Sequence, residues 1–268
     1  VQTGPDALWE SWLWLAGSFL VAVLWAQLTW ALNHAGGKRI TKLVRRIRSS
    51  RLSPWAMRAL RLLYYLAIPL GALIRGPALD LNLGIVVGLE VGVELPERLV
   101  DWAQRMGLAA ALALGAWVLL ALGWSSYRRA LLRRRIQSPS PAREPVWVIL
   151  REAAYHEAHW AFYRHAPAYT FSWLGGLAAD RYWAAWCGLA IVALEALLNP
   201  AWRRQLADPE RAPVVLQRAS LAIVSAVLFG LTNSLLLAVA VHWAVWWGLQ
   251  RWASARPLPA PAPELAAA

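Results

Sequence analysis

The run LWLAGSFLVAVLWAQLTWAL fills positions 13–32 without one charged side chain. A helix needs about 20 apolar residues to cross the hydrocarbon of a bilayer. In lipid every backbone group must be satisfied within the spanning structure, so only helices and closed barrels cross. The run therefore reads as a membrane helix, and it ties the rest of the chain to the same solvent. Further apolar runs follow. Leu60–Ile74 is shorter, with Arg61 near its start and Pro69 inside it. Met106–Trp124 and Trp183–Asn199 are longer, the second with Glu195 near its end. The last two, 214–231 and 234–249, are separated only by Thr232 and Asn233. Composition agrees: 59% of the 268 residues are hydrophobic and 19 are Trp, a residue that gathers at membrane–water interfaces. The expected fold is all-α, a polytopic transmembrane helix bundle.

Charge sets the expected orientation. The formal net charge is +12, and Lys38 and Lys42 are the only lysines, so the excess is arginine. A basic soluble domain would suggest a nucleic-acid partner. Here the arginines lie between apolar runs, at 38–51, 127–143 and 203–211, with Arg251 and Arg256 after the last run. That is a topology signal, and no nucleic-acid partner is expected. The segment 80–101 instead carries Glu90, Glu94 and Glu97. Basic loops stay cytoplasmic, and alternation then works only if the stretch 151–167 also crosses. The result is about seven membrane segments, with the N-terminus outside and the C-terminus cytoplasmic, in a bacterial plasma membrane. The arginine clusters would contact anionic lipid, and other membrane subunits are possible partners. Gly84, Gly88 and Gly92 put small residues on one face, and the segment 80–101 reads as interfacial or re-entrant. The expected organisation is N-terminal membrane helices over 1–137, a C-terminal bundle over 146–252, and a disordered Pro/Ala tail over 253–268. Cys187 is the only cysteine, which excludes an internal disulfide and a cysteine-based zinc site.

The stretch REAAYHEAHWAFYRHAP, 151–167, holds two acids, three histidines and two arginines. At about 100° per residue, Glu152, His156, His159 and Tyr163 share one helical stripe, and Glu157 points a quarter-turn or more away from His156. Ionisable groups at membrane depth face the protein interior or a wet cavity. His242 lies nine residues past Asn233, roughly 13 Å down the last segment, and needs a partner there. Glutamate and histidine can ligate a divalent metal. His156, His159 and His242 are therefore the candidate ligands, zinc the candidate cofactor, and Glu152 or Glu157 the candidate general base. HEAH is not HExxH. Positions i, i+4 and i+7 also span about 10 Å along a helix axis, so at most two of Glu152, His156 and His159 can join His242 on one ion. Simpler readings stand beside these. In these the helix is interfacial, His242 is a hydrogen-bonded core residue, Glu195 pairs with Arg203 or Arg204, and His34 is solvated.

The pairing of HWAFYR with LFGLTNSLLLAVAVHWAVW resembles the CPBP family of CAAX-protease and bacteriocin-processing intramembrane metalloproteases, over roughly 146–252. The resemblance implies a CPBP-like helical C-terminal half, with glutamates from an EExxxR motif and metal-binding histidines from FxxxH and HxxxN motifs. Arg164 takes the arginine position of the first motif, and its glutamate positions fall on His159 and Trp160. Phe229 takes the phenylalanine of the second, with Asn233 at its histidine position. His242 takes the histidine of the third, with Trp246 at its asparagine position. These departures favour a non-catalytic member acting as a scaffold or accessory protein. The alternative is an active metal-dependent intramembrane endopeptidase. Mid-membrane histidines could also serve as axial ligands to a haem or chlorophyll-like pigment.

Overall fold

The computed structural model of the protein describes residues 5–34, 42, 45–46, 49–75, 95–134, 144–174 and 180–254, and every regular element among them is helical. In chain order these are α1 (Pro5–His34), α2 (Ser53–Leu62), a π-helical turn (Leu63–Ala67), α3 (Ile68–Arg75), α4 (Leu95–Arg133), α5 (Val146–Trp173), α6 (Asp180–Leu198), α7 (Pro200–Ala207), α8 (Ala212–Thr232) and α9 (Leu235–Ser254). Three stretches are long and apolar enough to span a membrane: Leu8–His34, Leu99–Arg133 and Ala212–Thr232. A fourth arises if Tyr182–Leu198 and Pro200–Ala207, bent by 82°, count as one. The chain is thus an integral membrane helix protein. α5 and α9 are not among these spans, because their His, Arg and Trp residues lower the mean hydropathy.

The helix that carries three of the five histidines sits in the middle. α5 packs against α1, α3, the π-helical turn, α6 and α9. Glu157, His159 and Arg164 are buried with Ile149, Phe162 and Tyr163. Its polar residues are spread around the helix, and other helices cover them. This arrangement spares them the cost of meeting lipid. α6 approaches α5 closely through Gly188, where an added Cβ would lie 2.6 Å from the Cγ and 3.2 Å from the Cα of Arg164. A small residue at such a crossing lets the backbones meet.

Local sequence explains the breaks. Pro69 has no N–H to give the Tyr65 carbonyl, and its ring crowds that carbonyl. The helix widens there, with the Ile68 N–H bonding to the Leu63 carbonyl, five residues back. The Asn199 side chain caps α7, accepting from the backbone N–H groups of Ala201 at 3.0 Å and Trp202 at 3.3 Å. Pro200 opens α7 at the first turn, a position that needs no N–H donor. Asn233 ends α8 in the left-handed region, at φ 50° and ψ 33°, which Asn tolerates better than most residues. α9 starts two residues later, so Asn233 and Ser234 make the turn between the last two apolar runs.

Contacts between helix ends bring the basic segments together. The Gln27 side chain donates to the Leu198 carbonyl at 2.7 Å, and His34 meets Arg204 at 2.9 Å. Tyr127, near the end of α4, donates to the Pro209 carbonyl at 2.6 Å. Tyr127, Pro213 and Gln250 also line one apolar cavity, which places the C-terminal ends of α4 and α9 beside the start of α8. At the opposite end Arg105 donates to the Thr232 carbonyl at 3.2 Å.

Several expectations fall on other ground. Most of the segment 80–101 lies outside the described residues, and its last part, from Leu95, is the start of α4. The loop at 138–143 and the tail from 255 also lie outside them. Residues 127–133, expected in a loop, are the last turns of α4.

Candidate functional site

The face of α5 turned toward α9 carries Glu157. Its Oε1 accepts from Nδ1 of His242 at 2.9 Å. Its Oε2 accepts from the hydroxyl of Ser225 on α8. Ser225 in turn accepts from Arg164 at 2.6 Å. Arg164, two turns beyond Glu157 on the same face of α5, lies over the Phe229 ring at 4.7 Å. Glu157 is 0% exposed and His242 3%. Trp160 stacks on the His242 ring at 5.5 Å, and the His156 ring lies 5.9 Å from it. His242 Nε2 and one Arg164 nitrogen, Nη1, are buried without a hydrogen-bond partner. Three helices thus converge on one carboxylate.

A second constellation lies on another face of α5, toward α6 and the π-helical turn. Glu195 accepts from the Tyr163 hydroxyl at 2.6 Å and lies 3.5 Å from His159 Nε2. The Tyr64 hydroxyl is 3.4 Å from that same nitrogen. The Tyr64 and Tyr65 rings pack on His159 at 4.9 and 5.3 Å. Both contacts of Glu195 fall on Oε2, and a quarter of its side chain is exposed.

The stripe expected from spacing is therefore not one site. Glu152 belongs to an ion-pair group with Arg61 and, at 2.9 Å, Arg151. His156 lies near His242, with its Nδ1 2.7 Å from the Glu152 carbonyl. His159 serves Glu195 instead. Glu157, which spacing placed off the stripe, is the partner of His242. The physical reason is that α5 is covered on more than one side, so an off-stripe residue is as interior as the stripe. Glu195 also departs from expectation, since it meets His159 and Tyr163 rather than Arg203 or Arg204. Arg204 lies over Trp30 at 5.8 Å and contacts His34, so His34 is not merely solvated. Asn233 sits at the hairpin turn, with its Oδ1 buried and unpartnered.

Sequence reasoning missed Ser225, Tyr64, Tyr65 and Arg61 as participants. Ser225 had a signal, as a lone hydroxyl in the apolar run LAIVSAVLF. The tyrosines had one in Pro69, which foretells a broken helix beside them.

A catalytic zinc needs three protein ligands and an open position. Among the described residues no group of three His, Cys, Asp or Glu side chains is placed to hold a metal ion. His156 and His242 supply two imidazoles, His159 turns to Glu195, and both oxygens of Glu157 are engaged. No protein-family model, curated protein or solved structure matches the chain.

Proposed function

We propose that the chain is a CPBP-like protein of a bacterial plasma membrane, in which the Glu157–His242 pair serves hydrolysis of a peptide bond at membrane depth. One observation carries this reading. Arg164, Phe229 and His242, the positions that carry the family resemblance, gather with Glu157 around one buried carboxylate. A glutamate is thus present in the centre although the EExxxR glutamate positions are His159 and Trp160. Ionisable groups at membrane depth are costly and mark function by default.

The chemistry follows from the hydrogen bonds. With Glu157 as a carboxylate accepting at Nδ1, His242 is held in the Nδ1–H tautomer, and its Nε2 keeps a lone pair. A carboxylate that orients an imidazole in this way makes it a general base. Nε2 takes a proton from a water as the water oxygen bonds to the peptide carbonyl. The resulting imidazolium returns a proton to the leaving amine as the C–N bond breaks. Glu157 stabilises the imidazolium in between. Orientation in the bilayer follows the positive-inside rule: the end that gathers His34, Arg204, Tyr127 and Gln250 is cytoplasmic, and the N-terminus is outside.

A second reading, a non-catalytic scaffold or accessory protein, has its own observation. Both oxygens of Glu157 are engaged, and Glu157 and His242 are both buried. Cleavage of a membrane-peptide library by the reconstituted protein separates the two. The hydrolytic reading expects cleavage that is lost in His242→Gln and Glu157→Gln while both variants stay folded. Absence of cleavage, with both variants losing thermal stability, supports the scaffold. Single cysteines at Ser49 and Ser138 in a Cys187→Ala background test orientation, and labelling of either from outside intact cells overturns it.

A further inference from the structure

A cavity of about 400 Å³ opens between α1, the α2–π turn segment and the bend from α6 to α7. Its walls include Trp25, Trp30, Tyr64, Tyr65, Arg61 and Glu195. The cavity lies at the end of the bundle where the basic helix ends gather, since Asn33 and Asn199 also line it. It runs along α1 from Val21, midway through that apolar span, to Asn33 near its end.

Two features make it more than an apolar groove. First, Arg61 and Glu195 line the same space but do not pair with each other. Arg61 bonds to Glu152 and lies 5.9 Å from both the Tyr65 and Tyr155 rings. Glu195 is held through Oε2 by Tyr163 and His159, and its Oε1 takes part in neither contact. Opposite charges are thus fixed apart on the walls of one cavity. Second, Tyr64 and Tyr65 belong to the π-helical turn, and single π turns inside α-helices recur at functional sites. Aromatic faces beside a carboxylate suit an ammonium group, which gains from both the charge and the ring quadrupoles. The exposed Arg204 over Trp30 adds a cation near the rim, suited to a phosphate.

We infer that this cavity binds the headgroup of a zwitterionic aminophospholipid, with its ammonium at Glu195 among the Trp and Tyr rings and its phosphate toward Arg61 and Arg204. The site is separate from the Glu157–His242 centre and does not depend on hydrolysis. It makes the protein a lipid-selective one, distinguishing aminophospholipid from anionic lipid at the basic end of the bundle.

The test uses the full chain in maltoside micelles and counts retained lipid by native mass spectrometry. Phosphatidylethanolamine should be retained at one molecule per chain in preference to phosphatidylglycerol. Glu195→Gln keeps the shape and an acceptor for Tyr163, and should lower that preference by about tenfold, the size of one lost charge-assisted contact. The double variant Trp25→Leu, Trp30→Leu, on the α1 wall, should lower it several-fold. Dodecylphosphoethanolamine should displace the lipid, while dodecylammonium, which has only the positive pole, should displace it poorly. Equal retention of the two lipids overturns the inference, as does unchanged retention in a folded Glu195→Gln. Equal displacement by dodecylammonium overturns the assignment of the phosphate pole.

Discussion

The two carboxylate sites packed against α5 use similar side chains in opposite ways. On one face Glu157 is wholly buried, with a histidine on one oxygen and a serine–arginine relay on the other. On another, Glu195 also has a histidine and a hydroxyl for partners, but both meet the same oxygen and a quarter of the side chain is exposed. The difference is packing. α8 and α9 close over Glu157, joined by the tight Asn233 turn, whereas α1 and the π-helical turn leave a cavity beside Glu195. A dry carboxylate is fixed and expensive to disturb. A wet one is available to a ligand and cheaper to change, because water replaces a lost partner.

The largest expected effect breaks the dry side. Glu157→Ala leaves His242 and Ser225 buried without their acceptor and Arg164 without its counter-charge, and removing one partner of a buried charge pair costs about 3–5 kcal/mol. Glu195→Ala should cost much less. Denaturant unfolding of both variants in the same micelle measures the contrast. A Glu157→Ala cost equal to that of Glu195→Ala would mean that the two sites do not differ in hydration.

The next effect tests how tightly α6 is seated behind Arg164. Gly188→Ala puts a methyl 2.6 Å from the Arg164 Cγ, which a rotation could relieve, and 3.2 Å from its backbone nitrogen and Cα, which only a helix shift relieves. Overpacking of this kind costs about 1–3 kcal/mol. Gly230→Ala is the matched control, since its nearest contact would be 3.8 Å. It should be neutral or stabilising, because Ala is the better helix former by about 0.5–1 kcal/mol. Equal losses in the two variants would argue against the close α5–α6 crossing.

This contrast between faces was only partly legible in the sequence. Apolar run length announced the spans of α1, α4 and α8, and the Thr232–Asn233 break announced the hairpin. Arginine placement announced which helix ends share a side. The partners of the buried carboxylates were not legible. Helical periodicity ranks residues by direction, but it cannot say how many directions are interior. For α5, covered by α1, α3, α6 and α9, a stripe argument puts Glu152, His156 and His159 together, while packing sends them to three different neighbours. Glu195 shows the same limit, since its arginines are close in sequence and its true partners, His159 and Tyr163, are on another helix.

A smaller effect sharpens the wet side. Tyr163→Phe removes the hydroxyl that donates to Glu195 at 2.6 Å and keeps the ring. Hydrogen bonds to charged groups contribute about 1.5–3 kcal/mol when buried. Partial exposure of Glu195 lets water take the vacated position, so a loss of about 1 kcal/mol is expected. The corresponding change on the dry side, Ser225→Ala, should exceed it, because there the relay from Arg164 to Glu157 is sealed. Unfolding of the two variants side by side reads this difference, and a larger loss in Tyr163→Phe would reverse the assignment of which face is wet.

The smallest effect is expected at the rim of the cavity, in Arg61→Gln. Arg61 pairs with Glu152, but its own side chain is 43% exposed, so solvent screens the attraction. Exposed ion pairs contribute about 0–1 kcal/mol. Glu152 also keeps Arg151 at 2.9 Å on its other oxygen, so no buried carboxylate is stranded. The contact of the guanidinium with the stacked Tyr65 and Tyr155 rings is lost, although glutamine keeps part of the aliphatic stem beside the rings. Stability should therefore fall by less than about 1 kcal/mol, while retention of phosphatidylethanolamine falls measurably because one of the two arginines facing its phosphate has gone. A variant with normal stability and weaker lipid retention would separate the arginine's two tasks. A large loss of stability would show that the cavity wall is as rigid as the Glu157 side, and the comparison between the two faces would then fail at its outermost residue.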